Sequence, residues 1–282
     1  MTYHRPTNVD EALGILADGG FCVAAGCTDL YPATTAKALP GPVLDITAIP
    51  ALRGISRTGD GWRIGATTTW TDIVTADLPP AFDCLKLAAR EIGSVQIQTA
   101  GTVAGNLCTA SPAADAVPCL LTLDAQVELR SATSTRVLPL SRFLTGPRQT
   151  ARAPGELVTA ILVADGSARG TSHFLKLGAR KYLVISIAMA AVRLEIDRGV
   201  IARAALAIGA CSPVATRLPD LERILTGQSL DRAAASVVED QVAAPLTPID
   251  DMRGDAAYRV DAATELLRRS LAALASAARE TA

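Results

Sequence analysis

Apolar positions along this chain change their spacing several times, and each change marks an element. Val9, Ala12, Leu13 and Leu16 fall at i, i+3, i+4 and i+7, the stripe of an amphipathic helix, with Thr7 or Asn8 placed to cap it and Gly19-Gly20 to end it. Residues 21–25 read as a short buried strand running into Gly26-Cys-Thr-Asp-Leu30, and residues 42–46 as a second strand. Helix, strand, loop and strand in that order predict a small parallel α/β unit. From about Leu52 the pattern changes. Residues 54–65 look like a hairpin turning at Gly59-Asp-Gly, Thr71 is placed to cap a short helix, and residues 82–92 form another. Residues 116–123 are expected to be helical, with strands at 126–130 and 157–163.

A break at Ala164-Asp-Gly-Ser separates this part from the next. Beyond it come three aliphatic strands, at residues 171–177, 184–196 and 202–208, the last two joined by a turn at Asp197-Arg-Gly199. Leu218, Leu221, Ile224 and Leu225 then share a helical face stopped by Gly227. Leu267, Leu271 and Leu274 share another, opposite Arg268 and Arg269. The chain thus divides at about 1–165, itself split near residue 52 into 1–52 and 53–165, and 170–282.

Composition narrows the function classes. Hydrophobic residues make up 49% and charged residues 20% of the 282, which describes a globular chain with a full core, built from aliphatics because aromatics are only 4%. A formal net charge of −1 leaves no basic excess to neutralise a phosphate polymer, which argues against nucleic acid as a partner. Cys22, Cys27, Cys84, Cys108, Cys119 and Cys211 show neither C-x-x-C pairing nor metal-ligand spacing with histidine, so no metal or iron–sulfur site is expected here. Their apolar neighbours suggest buried free thiols in a reducing compartment. The first residues have no apolar h-region, and the run 183–192 is half a membrane span, so a soluble cytoplasmic protein is expected.

Candidate chemistry concentrates in residues 99–115, Thr-Ala-Gly-Thr-Val-Ala-Gly-Asn-Leu-Cys-Thr-Ala-Ser-Pro-Ala-Ala-Asp, where nearly every side chain is small or hydroxylic and the single charge is Asp115. Small residues let a ligand approach the main chain, and successive N–H groups can then point at an anion. A carboxylate ten residues beyond Gly105 suits the adenosine end of a nucleotide. A second candidate, Ala24-Ala-Gly-Cys-Thr-Asp29, closes a strand, where open α/β sheets hold ligands. Two such loops could grip a pyrophosphate from both sides without Lys or Arg. Taken alone, each reads better as a plain turn, and it is the pair that gives the ligand reading weight.

The 99–115 string resembles the FAD-binding medium subunit of the molybdenum hydroxylases, whose xanthine and carbon monoxide dehydrogenase members carry Thr-Ile-Gly-Gly-Asn followed by Ala-Ser-Pro and an Asp. The first loop is similar to the family's Ala-Gly-Gly-Thr-Asp type. Gly26 matches its first glycine and Cys27 stands where the second is often found; in the other loop Ala104 replaces the first glycine of the pair, while Gly105 and Asn106 match. Cys27 and Ala104 enter positive φ less freely than glycine, so the departures bear on backbone conformation. Residues 142–157, Phe174-Leu-Lys-Leu-Gly-Ala-Arg180 and 251–259 resemble further family segments, so the likeness covers nearly the whole chain.

The resemblance implies an α+β fold: a two-subdomain FAD-binding domain of the PCMH (vanillyl-alcohol-oxidase-like) type, followed by a domain with a three-stranded antiparallel sheet and helices. It implies FAD contacts from Val23, Ala24, Ala25, Gly26, Cys27, Thr28, Asp29 and Leu30, from Gly101, Thr102, Val103, Ala104, Gly105 and Asn106, and from Ser111 and Asp115. Lys176 would meet the flavin or its phosphates, with Ile92 and Val158 as apolar walls. No acid–base catalyst is assigned, and a structural role is expected for His173. The implied activity is electron transfer. A large partner subunit would hold the molybdenum cofactor and a small one two-iron iron–sulfur clusters, in a dimer of heterotrimers. A stand-alone FAD oxidoreductase and a scaffold without FAD are the alternatives.

Overall fold

The computed structural model describes residues 2–39 and 41–280. Near the N-terminus, β1 (Tyr3–His4), β2 (Cys22–Ala24) and β3 (Val43–Asp45) form a parallel sheet in the order β1-β3-β2, covered by helix α1 (Val9–Ala17). The α1 stripe packs on Leu44, Ile46, Ile49 and Leu52. Asn8 is the cap: its side chain accepts the Glu11 N–H at 2.9 Å.

The middle of the chain builds an antiparallel sheet from β4 (Ile55–Arg57), β5 (Gly61–Gly65), β6 (Gln126–Arg130), β7 (Thr135–Pro139) and β10 (Leu157–Ala164), ordered β4-β5-β10-β6-β7. A small pair, β8 (Leu144–Gly146) and β9 (Gln149–Thr150), stands beside it. Helices α2 (Trp70–Thr75), α3 (Asp83–Glu91), α4 (Val95–Ala100), α5 (Val103–Thr109), α6 (Ala116–Thr122) and α7 (Leu140–Phe143) belong to the same part. Thr71 does not cap α2. Thr69 does, because its hydroxyl accepts the Asp72 N–H while the Asp72 carboxylate accepts the Thr69 N–H, a reciprocal box that Thr71, with Val74 three residues on, cannot form.

After Ala164 the chain enters a third sheet, β11 (Thr171–Leu177), β12 (Ala188–Asp197), β13 (Val200–Gly209) and β14 (Thr216–Arg217), antiparallel in that order. Three strands were legible; the fourth is only two residues long. Helices α8 (Pro219–Leu225), α9 (Leu230–Ala233), α10 (Glu239–Ala243) and α11 (Ala256–Glu280) follow. Side-chain alternation explains the unbroken apolar run of β12. Ala188, Ala190, Val192 and Leu194 face the helices with Leu267 and Leu271, whereas Met189 and Ala191 join Trp70 and Phe82 in the core of the preceding part. The sheet is buried on both faces.

Three expectations change here. The second aliphatic strand starts at Ala188, not residue 184, because residues 178–187 leave the ladder as a strap. Ile224 turns to solvent while Leu218, Leu221 and Leu225 are buried. Of the cysteines, only Cys84, Cys119 and Cys211 are buried; Cys22 and Cys27 are half-buried and Cys108 is exposed. No helix among the described residues is long and apolar enough to cross a membrane.

Candidate functional site

A cleft of about 600 Å³ opens where the two small-residue loops meet. The first loop leaves the carboxyl end of β2, the usual ligand edge of a parallel sheet. Cys27 takes a left-handed φ of 57°, the conformation expected of the glycine it replaces. A reversal in the sign of φ turns neighbouring N–H groups to one side and forms an anion nest. The N–H groups of Gly26, Cys27, Thr28, Asp29 and Leu30 indeed donate to no acceptor among the described residues. Burial lifts the Cys27 thiol above its ordinary range, and the Asp45 carboxylate adds to that, so the sulfur stays a neutral S–H.

The second loop is partly helical. Thr102 caps α5, its hydroxyl accepting the Gly105 N–H at 3.1 Å. Ala104 lies inside this helix and needs no positive φ, which removes the cost its methyl group might have carried. Backbone bonds fix the entry: Trp70 N–H to Gly101 O at 3.2 Å and Val103 N–H to Thr68 O at 2.9 Å. The two loops touch through glycine. A Cβ on Gly26 would collide with the Ala100 carbonyl and lie 2.8 Å from the Gly101 Cα. Thr109 Oγ1 also donates to Asp29 at 3.2 Å, tying the far ends together.

Thirteen of the nineteen residues that the sequence nominated line the cleft: Val23, Ala25, Gly26, Cys27, Thr28, Asp29, Leu30, Ile92, Gly101, Thr102, Gly105, Asn106 and Ser111. Ala24, Val103, Ala104 and Val158 are buried in the packing behind it. Asp115 and Lys176 lie away from the lining too, and bind each other. Lys176 Nζ donates to Asp115 Oδ2 at 2.7 Å, with both side chains nearly inaccessible, and reaches the Glu91 carbonyl at 3.4 Å. Ser186 Oγ donates to the other carboxylate oxygen at 2.6 Å. Burial pushes the Asp115 carboxyl above its ordinary range, and the adjacent Lys176 ammonium opposes that. His173 sits half-buried in β11, away from the cleft lining.

Sequence reasoning missed several lining residues. Ile97, Gly93 and Trp70 line the cleft along with Ile92; Val184 and Ile185 come from the strap; Arg148, at the β8–β9 turn, is the only basic residue of the lining among the described residues. Arg148 and the strap come from distant segments, and nothing in their local sequence marks them. Arg259 closes the family-like segment 251–259 but was given no role from the sequence. Its buried guanidinium donates to Ile187 O at 2.6 Å, Ala210 O at 3.1 Å and Asp251 at 2.7 Å, pinning the end of the strap.

A partly apolar cleft with a row of free amide donors suits a dinucleotide whose other end is an aromatic ring. The Asn106 Oδ1 is buried and meets no donor among the described residues, an acceptor left for a ligand. Comparison with known proteins gives the same answer. The FAD binding domain in molybdopterin dehydrogenase matches residues 1–164, and the CO dehydrogenase flavoprotein C-terminal domain matches residues 173–274. The chain belongs to this FAD-binding family of the molybdopterin dehydrogenases, the flavoprotein components of oxidoreductases. It is 28% identical over 275 residues to the nicotine 6-hydroxylase medium subunit of Paenarthrobacter nicotinovorans, covering 96% of each chain. It is 32% identical over 237 residues to the nicotinate dehydrogenase FAD-subunit of Eubacterium barkeri, covering 81% of this chain and 80% of that one. Its fold matches carbon monoxide dehydrogenase from Hydrogenophaga pseudoflava with a TM-score of 0.85, at 26% identity over 98% of this chain and 97% of that chain.

Proposed function

We propose that the cleft holds FAD and that the chain is the electron-transfer subunit of a heteromeric molybdenum hydroxylase. The observation that carries this is the pair of loops in glycine contact, with five successive N–H donors free on one of them. Residues 26–30 would hold the pyrophosphate by their free backbone N–H groups and Asn106 by its side-chain NH2, while Gly105, without a side chain, leaves room for the approach. Ile92, Ile97, Val184 and Ile185 would enclose the ring and exclude water. Bound there, the isoalloxazine supplies one- and two-electron chemistry; the protein supplies grip, orientation and electrostatics. Val158 and Lys176 support the walls from behind.

In this reading a small subunit carries the iron–sulfur clusters and a large one the molybdenum cofactor, in a cytoplasmic dimer of heterotrimers. Electrons arrive from the clusters and leave to an external acceptor. The purified chain with FAD should therefore be bleached near 450 nm by dithionite (the general region of oxidised flavin, roughly placed) and stay oxidised with any organic hydroxylase substrate until the partner subunits are added. Turnover of an organic substrate by the chain alone would overturn the subunit reading in favour of a stand-alone flavoenzyme. Failure of the purified chain to bind FAD would overturn the cleft assignment.

A further inference from the structure

We propose that Ser186 is a positioning residue for this cleft, its bond to Asp115 holding the strap of residues 178–187 down as the cleft's roof. The inference rests on the reading that the cleft holds FAD.

The strap connects β11 to β12, whose antiparallel ladder runs without a slip from Thr171↔Leu194 to its last pair, Leu177↔Ala188. Its far end is fixed by the backbone: Ile187 N–H donates to Leu177 O at 2.8 Å, and Ile187 O accepts from Arg259. Its near end is held by Arg180, whose Nε donates to Leu183 O at 3.0 Å across a left-handed Leu183. Neither contact decides whether the middle lies on the cleft or stands out in water. Lys181, Tyr182, Leu183 and Ile185 are largely exposed, and apolar side chains there gain little from the protein's own packing.

Ser186 is the exception. It is 2% exposed, and its hydroxyl reaches out of the second domain to a carboxylate of the first. Asp115 has two oxygens and two side-chain partners. Oδ2 is neutralised by Lys176; Oδ1 has only the Ser186 hydroxyl. A buried carboxylate oxygen stripped of its donor costs more than an ordinary hydrogen bond is worth, so strap closure is coupled to satisfying this charge. Asp115 immediately precedes α6 and directly follows Ala113 and Ala114 of the lining, and Val184 and Ile185 directly precede Ser186. One bond thus sets the spacing between the cleft wall and its apolar roof.

Ser186→Ala and Ser186→Thr in the full chain test this by two measurements: amide hydrogen exchange of residues 178–187, and the rate of FAD release read from recovery of free-flavin fluorescence after dilution. Ser186→Ala should raise strap exchange about tenfold or more, the scale of a hydrogen bond to a charged group, and quicken FAD release comparably, while exchange in α5 and the β4–β10 sheet stays unchanged. Ser186→Thr, which keeps the hydroxyl, should restore both. Ser186→Cys, similar in size with a weaker donor, replaces the alanine variant if that variant does not fold, and the same rise is expected. Unchanged strap exchange would overturn the positioning role. Raised exchange with unchanged FAD release would show that the strap is no roof. If the unaltered chain binds no FAD, the cleft reading falls, and strap exchange still decides whether Ser186 holds the strap.

Discussion

At Cys27 a side chain occupies backbone space that costs an L-residue about 1 kcal/mol or more, and the chain pays it to keep the nest open. Cys27→Gly should therefore raise stability by about 0.5–1 kcal/mol, less what the half-buried side chain loses in packing, and leave FAD affinity equal or higher. Denaturant melts and a flavin titration check both. Gly105→Val makes the opposite change. A Cβ at Gly105 would lie 2.7 Å from the Thr102 hydroxyl that caps α5, and the larger side chain would intrude on the cleft. That variant should purify without flavin absorbance; full retention would remove this loop from the cofactor site. The residues that could be nominated in advance were those of the two small-residue loops, Gly26, Gly101, Gly105 and Asn106 among them, which line the cleft. Arg148 and Ser186 could not be, because an arginine in a turn and a serine in an apolar run gain meaning only from segments far away in the chain.

Elements were legible where one periodicity ruled and blurred where two demands overlapped. Helix α1 has a single stripe and a single cap, and its position follows directly. The run 183–192 serves first as strap and then as a strand buried on both faces, so its hydrophobicity is continuous and conceals the change at Ala188. The connection into β10 shows how polar residues fix an element that apolar pattern leaves open. Glu156 is buried and accepts Arg136 Nε at 2.6 Å, Arg136 Nη2 at 2.7 Å and the Ala153 N–H at 2.7 Å, clamping the turn against β7. The Arg136 bond holds the Glu156 carboxyl below its ordinary range. A lowered carboxyl contributes stability that is present above the unfolded value, about 4.3, and is lost as pH falls through the folded value beneath it. Glu156→Gln should cost about 1–2 kcal/mol at pH 7, toward the low end because Arg136 is partly exposed, and the gap from the parent should close below about pH 4. Chemical denaturation at pH 7, 5, 4 and 3 measures it; a gap that persists at pH 3 would assign the cost to packing instead.

The whole molecule is joined more firmly than a division near residue 165 suggests. Phe174, Met189, Ala191 and Ala207 of the third sheet lie in one core with Ile64, Trp70 and Phe82. Arg203 and Arg217 of the same sheet reach Asp124 at 3.0 and 2.8 Å, and the buried Arg193 donates to Thr122 O at 2.7 Å. A fragment of residues 2–168 would expose that apolar face. It should bind a hydrophobic dye and lose cooperative unfolding, where the full chain melts in one transition; a fragment that melts sharply and holds FAD would show that the first part is self-sufficient. The sequence offers a break in pattern near residue 165, but it does not show the shared core, since the unbroken apolar run of β12 implies two buried faces without saying against what.

The nest beneath Cys27 has a further consequence, in the language of ionic atmospheres. Its donors are neutral amide dipoles, and the cleft lining carries one basic residue, Arg148, against one acidic one, Asp29. Such a grip has no counterions to release on binding and little long-range field to screen. FAD affinity measured at 0.05 M and 0.5 M salt should differ by no more than about threefold, whereas a lysine clamp would weaken steeply. A protein built this way can hold a doubly charged phosphate equally well wherever the ionic strength drifts, because it recognises the anion by shape and direction and not by opposite charge.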